Sequence, residues 1–412
     1  MQTYSPDLRV AVEPFTHQPE AGGVVVGFQV SRVFLVLQQD AFAILEQLSQ
    51  GRTLDEVKEF YARTYGEVAD LDDFVGELFR RKLLKPLEDV EEAPLTTVVP
   101  EPDRRPLFSP ALARKLFSRP VVVAQLATIG LAVLAVCTDP AILPTRAALF
   151  FPDQLALTTV LILLVSVATS FVHEFAHLLA ARAAGVKARI GVSHRLWIIV
   201  LETDLSGLWS ISRRQRALPL IAGPLIDATT ASLLLLVLRW NDLAALGFSP
   251  QTLHYLKAAA LIYVLRLIWQ CYLFMRTDFY YVLTFATRCK SLMQDTEDLL
   301  RNQLARLSSH WQAVDQSHIP ASERRVIRLY TIPWLLGRGL AAYVLLVVQL
   351  PLLWQYILAV GAKLSVGYQH NPHAFIDSIT VALVAVLSLG GGLYLWIREI
   401  LKTWRKPYAV AK

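Results

Sequence analysis

The chain has 412 residues, of which 54% are hydrophobic and 18% charged, against about 25% charge in an ordinary soluble domain. This composition excludes an ordinary cytosolic enzyme, and the length implies two or three domains. The formal charge of +6, from 40 Lys and Arg against 34 Asp and Glu, reads as basic membrane-protein loops rather than a nucleic-acid footprint.

Three cysteines, Cys137, Cys271 and Cys289, have no short spacing, which excludes a disulfide scaffold and a Cys-based zinc site. Residues 1–20 are polar and carry no apolar run of a secretory signal.

Residues 1–87 read as a small α+β, winged-helix-like domain. Two stretches, 23–29 and 33–37, alternate β-branched residues with a break at Ser31 and Arg32, and predict two strands. Three amphipathic helices follow. Asp40 is expected to cap the first, which buries Phe42, Leu45 and Leu48. Thr53 caps the second, Glu56 completes a capping box, and Leu54, Val57, Phe60 and Tyr61 form its apolar face. The third begins near Asp70 and buries Leu71, Phe74, Leu78 and Phe79; residues 82–87 return as a short strand. Residues 88–117, with five prolines between 88 and 110 and a cluster of acids, describe an extended solvated linker.

Residues 118–406 read as a mostly α, six-span membrane helix bundle. The spans are 120–137, 155–172, 218–238, 258–275, 340–362 and 378–397, and 327–339 extends the fifth. The loops after spans one, three and five hold few cations (Arg146; Arg239 and Lys257; Lys363). The opposite side is rich in them, with Arg182, Lys187, Arg189, Arg213, Arg214 and Arg216 after the second span alone. The positive-inside rule then puts both termini in the cytoplasm, and the even number of spans agrees in placing them on one side.

The second span continues into His173-Glu174-Phe175-Ala176-His177. On a helix, histidines four residues apart face one way and can hold one Zn²⁺, and the intervening glutamate is placed to move a proton from water to a leaving amine. Three ionisable side chains at membrane depth are costly and point to function. The alternative is a pair of histidines satisfied by hydrogen bonds in a helix bundle, which explains neither Glu174 nor the spacing. A catalytic zinc needs a third protein ligand. Two acids compete for it: Asp227, in the third span after Ala222-Gly223-Pro224, and Asp278, where the fourth span breaks before a short helix over 279–290. Asp278 also reads as a plain helix cap, and Asp227 as a buried polar group bonded to a neighbouring helix.

Over residues 120–400 these features resemble the site-2-protease-type membrane zinc metallopeptidases, specifically their bacterial peptide zinc metalloprotease branch. The resemblance rests on His173–His177 and the residues up to Gly185, on Glu202-Thr203-Asp204 through Trp209, on Arg213-Arg214, on Ala222-Gly223-Pro224 and on the Asp278 segment. It implies that His173, His177 and Asp278 bind Zn²⁺ and that Glu174 activates water. Around Asp278 the chain departs from the usual pattern: Gln270, Leu273 and Phe279 stand where many relatives carry Asn, Pro and Gly. Residues 23–87 resemble, less specifically, the PqqD-like domains that recognise ribosomal precursor peptides, which implies capture of a leader peptide as an added strand. A generic winged helix that binds DNA is the alternative, but the acids on these helices (Asp55, Glu56, Glu59, Asp70, Asp72, Asp73 and Glu77) would repel phosphates.

Residues 190–209 predict a membrane-associated hairpin. Its Ile198, Ile199, Val200 and Leu201 are candidate contacts for an extended substrate, and Asp227 is a further one. His194 reads as a loop or sheet residue. Arg266 and Arg338 lie inside spans and are expected to pair with Asp227, backbone carbonyls or lipid headgroups.

The expectation is a multi-pass zinc endopeptidase of the bacterial plasma membrane. Its partners would be the lipid bilayer, a ribosomal precursor peptide and a transporter or modification enzyme, with no nucleic acid. Two alternatives are a regulated intramembrane protease of a membrane-spanning signalling substrate and a non-proteolytic zinc scaffold in peptide maturation.

Overall fold

The computed structural model describes residues 4–20, 23–28, 31, 33–87, 109–149, 155–244, 246–289, 291–308, 312–317, 319–365 and 368–405. The chain divides into two compact units. One comprises Met1–Arg114, Ala181–Ala188 and Asp204–Arg216; the other comprises Lys115–Ala180, Arg189–Thr203 and Ala217–Lys412.

The first unit opens with strands β1 (Val10–Val12), β2 (Phe15–Glu20), β3 (Gly23–Phe28) and β4 (Phe34–Leu37). Helices α1 (Gln39–Ser49), α2 (Leu54–Tyr65) and α3 (Leu71–Arg80) follow, and then β5 (Leu84–Pro86). β2, β3 and β4 form an antiparallel meander in which Val25 lies between Gln18 and Val36. β5 pairs antiparallel with β1, Val10 opposite Pro86. Val24, Val26 and Phe28 from the sheet meet Leu45, Leu48, Val57, Val75 and Leu78 from the helices in one core.

β1 and β2 lie outside the strands that the sequence predicts. β1 is a run of only three residues, Val-Ala-Val, closed by Pro14, and β2 has little apolar content and contains Pro19. Pro19 is accommodated because β2 is an edge strand, where one ladder N–H is dispensable.

The Thr53 capping box forms as expected. The Thr53 N–H donates to the Glu56 carboxylate at 2.9 Å and the Glu56 N–H to the Thr53 hydroxyl at 3.3 Å. Asp70 likewise accepts the Asp73 N–H at the head of α3. Asp40 does not cap α1. The helix starts at Gln39 after Gln38, while Asp40 accepts the Ala41 N–H and the Tyr61 hydroxyl. Residues 88–108 of the expected linker lie outside the described residues. The end of that linker is helical: α4 spans Pro110–Leu116 and leads into α5 (Arg119–Thr138).

The remainder is mostly helical. It comprises α6 (Leu155–Ala183), a hairpin of β6 (Arg189–Arg195) and β7 (Ile198–Asp204), α7 (Arg213–Ala244), α8 (Pro250–Gln270), α9 (Asp278–Thr287), α10 (Leu292–Leu307), α11 (Ala321–Tyr343), α12 (Leu350–Ser365), α13 (Pro372–Ala385) and α14 (Gly391–Arg405).

Among the described residues, six helical stretches are long and apolar enough to cross a membrane: Pro110–Thr138, Thr159–Ala183, Arg213–Ala244, Pro250–Gln270, Ala321–Ala362 and Pro372–Leu401. The fourth is shifted from its expected bounds. Ser249 caps it one residue before Pro250, and it stops at Gln270, so Leu273–Met275 is a separate 3-10 turn closed by Arg276 at φ 53°. The fifth and sixth each contain a π-helical stretch, Val344–Gln349 and Val386–Gly390. Pro351, which lacks the N–H of a regular turn, follows the first.

Candidate metal centre

The long α6 carries the histidine motif on its last three turns. The four-residue spacing puts both imidazoles on one face, ring centroids 4.9 Å apart. Both rings are buried. Ala176 and Ala180 pack against Ala222 of α7, and these small side chains let the two helices approach closely.

Each imidazole is oriented from behind. His177 Nδ1 lies 2.7 Å from the Pro219 carbonyl oxygen. A carbonyl only accepts, so Nδ1 carries the proton and the Nε2 lone pair is free to bind a ligand. His173 Nδ1 lies 2.7 Å from Asp227 Oδ2, which fixes the same tautomer.

The two Nε2 atoms are 3.3 Å apart, and Asp278 Oδ2 lies 2.9 Å from that of His173 and 3.4 Å from that of His177. Among the described residues this is the one His/Cys/Asp/Glu group that could hold a metal ion. The triangle matches one face of a small tetrahedral site, because bonds of about 2.0–2.1 Å place tetrahedral ligand atoms about 3.3–3.4 Å apart.

Gly223 keeps the space beside the nitrogens open. A Cβ there would lie 2.3 Å from His177 Nε2 and 2.5 Å from His173 Nε2. Charge fits as well: three carboxylates (Asp278, Asp227 and Glu174) and one guanidinium (Arg266) cluster here, a formal deficit of two that a dication cancels. Replacing Gly223 by Ala is therefore expected to push the imidazoles apart. The check is competition with a zinc-chelating dye on the purified full chain, where zinc affinity should fall at least tenfold, by about the loss that disturbing an outer-shell support causes.

Asp278 is the first residue of α9, and the cap position belongs to Thr277. Its N–H donates to the Gln270 side chain at 3.0 Å, and the Thr277 hydroxyl donates to the Gln270 carbonyl at 2.7 Å. The break after α8 thus aims the carboxylate back toward α6. Burial opposes the charged form of Asp278. When protonated, the imidazoles of His177 and His173 outweigh burial and hold its carboxyl well below the usual carboxylate range.

Asp227 plays a different part. It is 0% exposed and faces the far nitrogen of His173, so it neither joins the ligand triangle nor offers a surface to substrate. Arg266 accounts for its charge: Nε lies 3.7 Å from Asp227 Oδ2, while one terminal nitrogen donates to the Ser166 carbonyl and to the Thr169 and Ser170 hydroxyls. Arg338 pairs elsewhere, 3.5 Å from Glu297 and over the Trp334 ring.

Glu174 points at the cluster, with Oε1 4.0 Å from His173 Nε2. Its other oxygen accepts the Thr203 N–H at 2.7 Å, and the Thr203 hydroxyl donates to the Glu174 backbone carbonyl at 2.8 Å. Thr203 belongs to β7, the strand that also holds Ile198, Ile199, Val200 and Leu201. The turn of this hairpin is seated on α14. The Trp197 carbonyl lies so near Gly392 that a Cβ there would be 1.8 Å away, Trp197 packs on Trp396, and His194 Nε2 is 2.6 Å from Glu399.

Comparison with known proteins finds no matching family model, no matching curated protein and no matching solved structure.

Proposed function

We propose that the chain is a multi-pass zinc endopeptidase of the bacterial plasma membrane, with its termini and active site on the cytoplasmic side. The observation that carries this reading is the triangle of His173 Nε2, His177 Nε2 and Asp278 Oδ2, with the Glu174 carboxylate beside it. His173, His177 and Asp278 would hold Zn²⁺. When bound, zinc supplies Lewis acidity toward a peptide carbonyl and eases deprotonation of water.

The chain's own groups do the rest. Glu174 takes a proton from water and delivers it to the departing amine nitrogen. The Pro219 carbonyl and Asp227 hold both imidazoles in the ligating tautomer. Ile198, Ile199, Val200 and Leu201 on β7 offer an extended peptide a strand to pair with. The resemblance of residues 23–87 to PqqD-like domains supports a ribosomal precursor peptide as substrate. Tethering it by the first unit raises its effective concentration at the zinc.

The test compares new protein N-termini in cells producing wild type or Glu174→Gln. The wild type is expected to generate a short set of cleaved precursors that the variant lacks, while the purified variant retains zinc. Identical sets of N-termini would refute the endopeptidase reading. Cleavage confined to proteins with their own apolar span would replace the precursor substrate with a membrane-spanning one.

A further inference from the structure

We infer that Thr203 is the positioning residue for Glu174, and that through it the β6–β7 hairpin sets the direction in which the Glu174 carboxylate points. The inference rests on reading Glu174 as the proton carrier. The geometric basis is a two-point clamp: the Thr203 N–H holds Oε2 at 2.7 Å, and the Thr203 hydroxyl holds the Glu174 backbone carbonyl at 2.8 Å.

A glutamate side chain on a helix has three rotatable bonds, and alone it samples many positions. Fixing one carboxylate oxygen from the side leaves the other, Oε1, directed at the ligand triangle, 4.0 Å from His173 Nε2. Fixing the residue's own carbonyl with the same threonine locks β7 against α6 at that turn. Thr203 is 7% exposed, so water does not compete freely for either bond.

The rest of the hairpin makes this a rigid support. Arg195 and Glu202 pair across the two strands at 2.6 Å, and the turn is fixed on α14 by Trp197 on Trp396 and by His194 on Glu399. The strand whose Ile198–Leu201 segment is proposed to receive substrate therefore also carries, two residues further on, the residue that aims the base. One register sets both, so a slip of β7 would move the peptide and the carboxylate together.

The experiment has two readouts. The first needs no zinc and no substrate: hydrogen exchange of the full chain in detergent, comparing wild type with Glu174→Ala. Loss of the acceptor should speed exchange at the Thr203 amide by roughly tenfold or more, with exchange in α8 unchanged. Unchanged exchange at Thr203 would overturn the clamp whatever the protein's activity. The second readout is cleavage of a precursor found with the wild type. Thr203→Val keeps the N–H on Oε2 but deletes the hydroxyl that anchors β7 to α6; it should keep the zinc content and KM and lower kcat by about tenfold or more, up to the roughly hundredfold cost of misplacing a reacting group. Thr203→Ser, which restores the hydroxyl, should recover most of that loss. Wild-type kcat in Thr203→Val, with Glu174→Gln inactive, would refute the two-point clamp, because its hydroxyl arm would then do nothing for the base, while leaving the peptidase reading intact.

Discussion

Replacing Asp278 by Ala should strip zinc from the purified protein, whereas replacing Asp227 by Asn should leave it bound more weakly. The two acids looked equivalent in the sequence, but they stand on opposite nitrogens of His173: Asp278 at Nε2 with His177 beside it, Asp227 at Nδ1. Loss of an outer-shell hydrogen-bond partner typically costs about 10–100-fold in metal affinity, and that is the range expected for Asp227→Asn. Asp278→Ala removes a donor from the triangle itself and should exceed the upper end of that range. Competition with a zinc-chelating dye, run on both variants in detergent, gives the order. The reverse order would mean that Asp227 is the ligand.

The second large effect is on stability. Arg266→Met is expected to destabilise the folded protein by about 3–5 kcal/mol, the cost of breaking a buried ion pair and leaving one partner behind. Asp227 is fully enclosed, its Oδ1 has no hydrogen-bond partner among the described residues, and Arg266 is the cation near it. The guanidinium also ties α8 to α6 through Ser166, Thr169 and Ser170, so a shape-matched apolar chain loses both the charge and three hydrogen bonds. Neutralising the acid as well, in Arg266→Met with Asp227→Asn, should recover part of the loss. Thermal unfolding followed by tryptophan fluorescence measures it. Equal midpoints for wild type and Arg266→Met would show that Arg266 is not the counter-charge.

The parts of the fold and centre that were legible in the sequence are those encoded locally. Apolar runs of membrane length mark the helices. The i, i+4 histidines mark one helix face, and Thr53 with Glu56 marks a helix start through a bond three residues long. What stayed hidden depends on contacts between distant segments. Thr203 meets Glu174 across 29 residues, His173 meets Asp278 across 105, and Arg266 meets Ser166 across 100. No periodicity carries such pairings.

Gly223 was visible as a residue but not as a space, because its role depends on how near the imidazoles of α6 come. The misplaced end of the fourth span has a similar cause. Leu273, Phe274 and Met275 are as apolar as the helix before them, and only the left-handed Arg276 and the Thr277 bond to Gln270 end the run there. β1 was hidden by its three-residue length and β2 by its polar composition, and pairing with β5 and β3 makes them strands.

If α6 and α9 together build a catalytic metal site, the purified chain holds zinc through His173, His177 and Asp278. The most direct measurement is zinc-edge X-ray absorption on the full chain purified in detergent, with His173→Ala as the comparison. The expected result is one zinc per chain in a four-coordinate shell of two imidazoles and oxygen ligands at about 2.0–2.2 Å, and loss of that shell in the variant. A wild-type protein that holds no zinc, or a zinc shell unchanged by His173→Ala, would contradict it.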